Sequence, residues 1–399
     1  MEVVLQQVNI YTQDIAHVIE NRILRRNKMK LMTIFNNKGG VGKTTLLYHL
    51  ASVLAEMGKK VLLIDLDPQC NLSLYGIEIE HLHEIWRKED IFFDEGFNYG
   101  KKTMTKEQFD AFSREAHTIH FILKPTEDGE GEIENYSNPI NIAPNLDMIP
   151  GRLTLYTYEN KIASRWNDVY AGEALAVRTI TRIREIAKMY SEMNEYDYVL
   201  LDTSPSLGAL NKTIIMTADG FIIPALPDMF SLYGIRNIGK SLVSWKKELD
   251  TIFALISEEK RKLFPAHPVQ FFGYTIYNAK KATSKNVGNL GLAQAHYNYY
   301  KQIPNAIREN IPDTLRSTLS EDEIDAPIGN LSVMHSHNTF PSTAQKYRVP
   351  IWKIPDCELD EEDRSTVSGN RQKYYETYEK YRDCLLYTSP SPRDRSLSR

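Results

Sequence analysis

The chain has 399 residues, of which 25% are charged and 42% apolar, with a formal net charge of −4 and a mean hydropathy of −0.41. These values describe a globular protein long enough for a large core, and no apolar run has the length needed to cross a bilayer. The acidic balance offers no global attraction to nucleic acid, so such binding requires a local patch. Three cysteines without regular spacing fit a reducing cytoplasm rather than a disulfide framework.

In residues 1–28, Ile15, Val18, Ile19 and Ile23 recur at helical spacing ahead of Arg25, Arg26 and Lys28. This predicts an amphipathic helix that packs on the domain, makes a dimer contact or docks a partner, with Met29 as an alternative start. No signal-peptide pattern opens the chain.

Leu31–Phe35 is apolar and strand-like, and Lys38-Gly39-Gly40-Val41-Gly42-Lys43-Thr44-Thr45 follows it. Leu46, Leu47, Leu50, Val53, Leu54 and Met57 then share one face of a predicted helix closed by Gly58. A strand, a glycine-rich turn and a helix N-terminus present backbone N–H groups to an anion, aided by the helix dipole. In this pattern Lys43 reaches the β- and γ-phosphates of a nucleotide and the Thr44 hydroxyl ligates Mg²⁺. The ordinary pattern G-x-x-x-x-G-K-[ST] needs glycine at position 37, where this chain has Asn37, so what remains is a variant with lysine at its first place.

Val61–Ile64 predicts a buried strand ending in Asp65 and Asp67, and Tyr198–Leu201 a second ending in Asp202. Carboxylates at the carboxyl ends of parallel strands lie where open α/β sheets bind ligands, and hard oxygen ligands there suit Mg²⁺. Each aspartate alone also fits a turn or helix cap, a weaker reading for three beside a phosphate loop.

Residues 78–145 read as an insertion after the second strand, with the acidic run Thr126–Glu134 expected as a solvated loop. The sheet resumes at Asn145–Pro150, and residues 171–193 predict a helix feeding the Tyr198 strand. Further strand–helix pairs are expected at 219–225 with 230–249, and at 269–278 with 292–309. Such alternation implies a mostly parallel twisted sheet with helices on both faces. The pairs His117/His120 and His335/His337 lack metal-ligand spacing and read as structural or surface residues, and Cys70 lacks a base partner for nucleophilic work.

Near the end, Gln372–Arg382 is charged and tyrosine-rich, a poor lipid face. Cys384–Asp394 can be encoded by a sequencing-library transposon adapter read in frame, and an index with the next adapter bases would yield Leu397–Arg399. Cys384–Arg399 is expected to be an assembly artefact, leaving the domain as 29–383 and the natural C-terminus missing.

Lys38 with the octet, Ile64-Asp65-Leu66-Asp67-Pro68-Gln69 with Asn71, and Asp202-Thr-Ser-Pro-Ser-Leu-Gly208 together resemble the ParA/MinD ATPases, the deviant Walker A group of P-loop NTPases, and its ParA/Soj branch most. Ala218–Pro224, Phe230–Gly234 and Gly273–Asn278 agree, and the likeness spans roughly 30–355. The resemblance implies an ATP-dependent homodimer that hydrolyses ATP with Mg²⁺ slowly, stimulated by a ParB-like partner, and serves DNA partitioning or cargo positioning in the cytoplasm, on the nucleoid where DNA is bound. It places phosphates on Lys38, Gly39, Gly40, Val41, Gly42, Lys43, Thr44 and Thr45, adenine on Asn278, and Mg²⁺ on Thr44, Asp65 and Asp202. Asp67 would orient the attacking water and Lys38 would reach the partner's phosphates. Nonspecific DNA contacts would come from Lys246, Lys247, Arg261, Lys262, Lys280, Lys281 and Lys285, for which a solvated face is the plain alternative. A MinD-like membrane-positioning ATPase, a nucleotide-stabilised scaffold with little turnover, and a small-molecule ligase or kinase remain as alternatives.

Overall fold

In the computed structural model, residues 29–131, 136–279, 292–328, 334–335 and 339–386 are described. Their strands are β1 (Lys30–Ile34), β2 (Val61–Asp65), β3 (Ile140–Ala143), β4 (Leu146–Ile149), β5 (Tyr198–Asp202), β6 (Gly220–Ala225), β7 (Gln270–Ala279) and β8 (Met334–His335). They form one sheet in the order β3-β4-β2-β5-β1-β6-β7-β8, parallel throughout except for β3 against β4. The central strands are near-continuous apolar runs because both of their faces are covered. Period-2 alternation sends Leu62 and Ile64 of β2 into one core layer and Val61 and Leu63 into the other.

The nine longer helices used below are α1 (Lys43–Glu56), α2 (Ile79–Asp94), α3 (Ile119–Asp128), α4 (Tyr156–Tyr170), α5 (Ala174–Asn194), α6 (Ala209–Thr217), α7 (Met229–Leu255), α8 (Ile303–Asn310) and α9 (Glu361–Leu386). Helices α3 to α8 pack on one face of the sheet, while α1, α9 and the turn Ile351–Asp356 cover the other. Helix α1 was expected to bury one stripe, yet it is buried almost all round from Leu46 to Ala55. Its outer side is taken by the C-terminal segment. The His49 ring stacks on Tyr381 with centroids 4.7 Å apart, and its Nε2 accepts the Ile351 N–H at 3.1 Å. Burial, opposed by the Thr45 carbonyl, holds His49 down at about 4, so the ring is neutral and can accept.

The region between β2 and β3 is helical. Phe92, Phe97, Phe109, Phe112 and Phe121 form a small aromatic core of their own. The acidic run does not behave as a solvated loop throughout: Thr126–Asp128 close α3, and Thr126 and Glu127 are buried. Glu127 tolerates burial because His120 and Lys124 meet its carboxylate at 2.8 and 2.9 Å. Despite burial, these partners pull its carboxyl down to about 2. Residues 132–134 of the run lie outside the described residues. His117 and His120 are both buried and hydrogen-bonded to Glu89 and Glu127.

Helix α9 continues through Cys384 to Leu386, and Cys384 is buried against the same core as Tyr374 and Tyr381. Residues 387–399 lie outside the described residues, as do 1–28.

The Phe92 ring lies 5.0 to 6.3 Å from the four other phenylalanines, and no side chain fits at Gly100 beside it. Phe92→Ala should therefore destabilise this helical region by about 3–5 kcal/mol, measured by urea unfolding. A loss near zero would show that the aromatic core is dispensable.

Candidate functional site

The carboxyl ends of β1, β2 and β5 converge on one spot. Parallel pairing sets Asp65 directly opposite Asp202, so the register itself places two acids side by side. Both are fully buried, and Asp67 is nearly so. The glycine-rich loop from β1 to α1 lies across them. Gly40 and Gly42 take φ of 72° and 76°, the left-handed region that favours glycine. Gly42 is further constrained because a Cβ there would fall 1.9 Å from the Tyr277 ring on β7.

Each acid has a distinct role in the arrangement. The Thr44 hydroxyl donates to Asp202 Oδ2 at 2.8 Å, while Asp202 Oδ1 is buried without a hydrogen-bond partner among the described residues. Asp65 is instead saturated: its Oδ2 accepts from both the N–H and the hydroxyl of Ser73, at 2.8 and 2.7 Å, and its Oδ1 from the Asp67 N–H at 3.2 Å. Asp67 Oδ1 accepts the Gln69 N–H at 3.0 Å. Lys43 is buried, and its Nζ donates to the Lys38 carbonyl at 3.3 Å.

Burial, reinforced by the Asp65 charge, drives the Asp202 carboxyl well above the usual carboxylate range. For Asp65, burial outweighs the Ser73 donors and pushes the group up to about 6. Burial also raises Asp67 against the pull of the Gln69 N–H and Lys43, and it lowers Lys43 against Asp202 and Asp67. Three buried carboxyls thus face one buried ammonium. An orphaned carboxylate oxygen beside a threonine hydroxyl, backed by two more acids, is a donor set for a hard divalent cation. The residues present fit Mg²⁺.

Lys38 is turned the other way. Its Nζ pairs with Asp228 at 2.5 Å and lies 5.6 Å from the Phe230 ring centroid, while its N–H is held by Asn36 Oδ1 at 2.9 Å. Asp228 caps α7 by accepting the Ser231 N–H at 2.8 Å. Against the effect of burial, the donors Lys38 and Ser231 hold its carboxyl below the usual range. Asp228 and Ser73 were missed in the sequence. Asp228 carried one signal, an N-capping aspartate three residues before Ser231 at the head of a helical run.

The other expectations divide. Val41 is buried in the loop, and Thr45 shares a hydrogen bond of 3.0 Å with Tyr75. Asn278 is the last residue but one of β7. Burial raises the Cys70 thiol, as expected of an inert residue. Lys246 pairs with Asp250 at 2.6 Å, whereas Lys280, Lys281 and Lys285 lie outside the described residues, as does His337.

A family model described as an AAA domain matches residues 29–255. The chain belongs to this family, as a P-loop ATPase of the ParA/MinD type. Uncharacterized protein MJECL24 of Methanocaldococcus jannaschii is 31% identical over 52% of this chain, which spans 63% of that protein's length. The chromosome partitioning protein ParA of Caulobacter vibrioides is 25% identical over 71% of this chain and 83% of its own. Among solved structures, a Corynebacterium diphtheriae protein aligns at a TM-score of 0.53 and 23% identity, covering 71% of this chain and 89% of that one, which shows the fold. No described helix is long and apolar enough to cross a membrane.

Two measurements check this geometry. A carboxyl whose folded pKa lies above its unfolded one stabilises the fold at low pH and loses that contribution as pH rises through the folded value, about 6 for Asp65. Asp202→Asn removes the repulsion, so the ligand-free variant should melt about 2 °C or more above wild type at pH 8, with the gap shrinking at pH 5. Equal melting at both values would contradict the buried charge. Gly42→Ala should cost at least about 1 kcal/mol in chemical unfolding, through both its φ and the Tyr277 ring.

Proposed function

We propose that this protein is a Mg²⁺-dependent ATP hydrolase working as an ATP-dependent dimer switch, in DNA partitioning or cargo positioning. The carrying observation is Asp202, whose unpartnered buried oxygen sits beside the Thr44 hydroxyl and behind the phosphate loop. Lys43 and the loop N–H groups would bind the phosphates, and Thr44, Asp202 and Asp65 would hold the cation, directly or through water. Bound Mg²⁺ supplies charge neutralisation at the transferring phosphate. Asp67 would orient the attacking water, and Asn278 would meet the adenine.

Dimerisation is supported by the rim of the site. Met229, Phe230 and Tyr233 are exposed at the head of α7, next to the Lys38–Asp228 pair. Large apolar side chains at a site mouth suit burial by a second copy. In such a dimer Lys38 would leave Asp228 and serve the partner's phosphates, so hydrolysis would require assembly. The relationship to a chromosome partitioning protein supports a partitioning role, in which nonspecific DNA and a ParB-like stimulator would be the partners, in the cytoplasm. A MinD-like membrane role gains nothing from α9, whose Val367, Tyr374 and Tyr381 are spent on the domain.

ATP turnover per protomer should rise with protein concentration, and rise again with nonspecific duplex DNA. Lys38→Ala should bind a fluorescent ATP analogue as wild type does, yet hydrolyse ATP at least about 10-fold more slowly. Normal turnover in that variant would remove the role given to Lys38, and turnover independent of concentration would remove the dimer.

A further inference from the structure

Asp65 is oriented by a chain of hydrogen bonds that ends on the inserted helix α2. The Ser73 hydroxyl donates to Asp65 Oδ2 at 2.7 Å and accepts the Gly151 N–H at 2.9 Å. The Gly151 carbonyl in turn accepts the indole N–H of Trp86 at 3.0 Å. Gly151 packs so tightly that a Cβ there would meet Asp65 Cγ, the Asp65 carbonyl and Cys70 Sγ, each at 3.1 Å. The next residue, Arg152, is buried and donates to the Trp86 carbonyl at 2.8 Å and Glu89 at 3.3 Å, and it pairs with Asp90. Helix α2 therefore holds both the Gly151 carbonyl and the Arg152 side chain.

We propose that Ser73 is a positioning residue for the magnesium carboxylate Asp65, and that α2 sets its position through Trp86 and Gly151. The proposal rests on the reading of Asp65 as part of a Mg²⁺ site. A carboxylate near a cation needs its plane fixed, because a freely rotating one gives up affinity each time it is ordered. Ser73 fixes that plane with two donors on one oxygen, and the Gly151 N–H fixes the serine rotamer by taking its lone pair. Ser73, Gly151 and Trp86 all lie outside the phosphate loop, so their effect should appear in Mg²⁺ dependence rather than in nucleotide affinity itself.

The test is equilibrium binding of a fluorescent ATP analogue to the full chain, titrated with Mg²⁺ and repeated in EDTA. Ser73→Ala should require about 10-fold more Mg²⁺ for half-maximal binding, and Trp86→Phe, which keeps an aromatic ring and loses the indole N–H, about 3-fold more. Ser73→Thr, which retains the hydroxyl, should restore the wild-type midpoint, and affinity in EDTA should be the same in all four proteins. A wild-type midpoint in Ser73→Ala overturns the proposal alone. Loss of binding in EDTA as well would mark Ser73 as merely architectural and also overturn it. Wild-type protein that takes up no nucleotide with Mg²⁺ would overturn the functional reading, and this proposal with it.

Discussion

The confinement of Asp65, Asp67 and Asp202 around a single buried ammonium governs this molecule. The arrangement is unfavourable for the chain by itself, since each acid is stripped of water and two face each other across paired strands. It persists because the register that creates it is the same register that buries apolar runs on both faces of β2 and β5. Slipping either strand by one residue would separate the acids but turn every inward side chain to the opposite layer. The sheet thus holds a local electrostatic conflict that a divalent cation with phosphate would relieve, and stability of the scaffold would then be converted into affinity at one point.

The same constraint explains the placement of Lys38. Its ammonium does not join Lys43 among the acids but sits on the neighbouring rim, where β6 delivers Asp228 beside the β1 loop. The Lys38–Asp228 pair ties the phosphate loop to the cap of α7, a 27-residue helix packed against α4, α6 and α8. Both partners are about three-quarters buried, enough to hold the pair in place yet leave it openable. A change at the loop is therefore felt at the head of a long rigid element, and the apolar side chains exposed there lie within its reach.

What the sequence disclosed follows from distance along the chain. The loop, α1 and the strand-end acids are local patterns, since a strand, a glycine turn and a helix start occupy adjacent residues and carboxylates close apolar runs. The parallel sheet and most element positions followed from the same alternation. Tyr277 against Gly42, Asp228 on Lys38 and Gly151 behind Ser73 were not legible, because each pairs residues 78 to 235 positions apart on the strength of register and strand order. The acidic run misled for a related reason. Glu127 looks like a solvated charge until His120 and Lys124, on the same helix, are seen to hydrogen-bond its carboxylate inside the core.

The inserted helices also change meaning once both of their ends are traced. The chain leaves β2 at Asp65, builds the helical region with its own aromatic core, and returns through β4 to Gly151, whose backbone packs on that same aspartate. An excursion that begins and ends at one carboxylate cannot move as a unit without disturbing it. Arg152 makes the attachment stiff, because its buried guanidinium meets Glu89, Asp90 and the Trp86 carbonyl, all on α2. Breaking that junction would leave charge buried without a partner, which costs more than the junction contributes while intact. The insertion is thereby fastened to the sheet at a place where a small displacement would reach the proposed cation site.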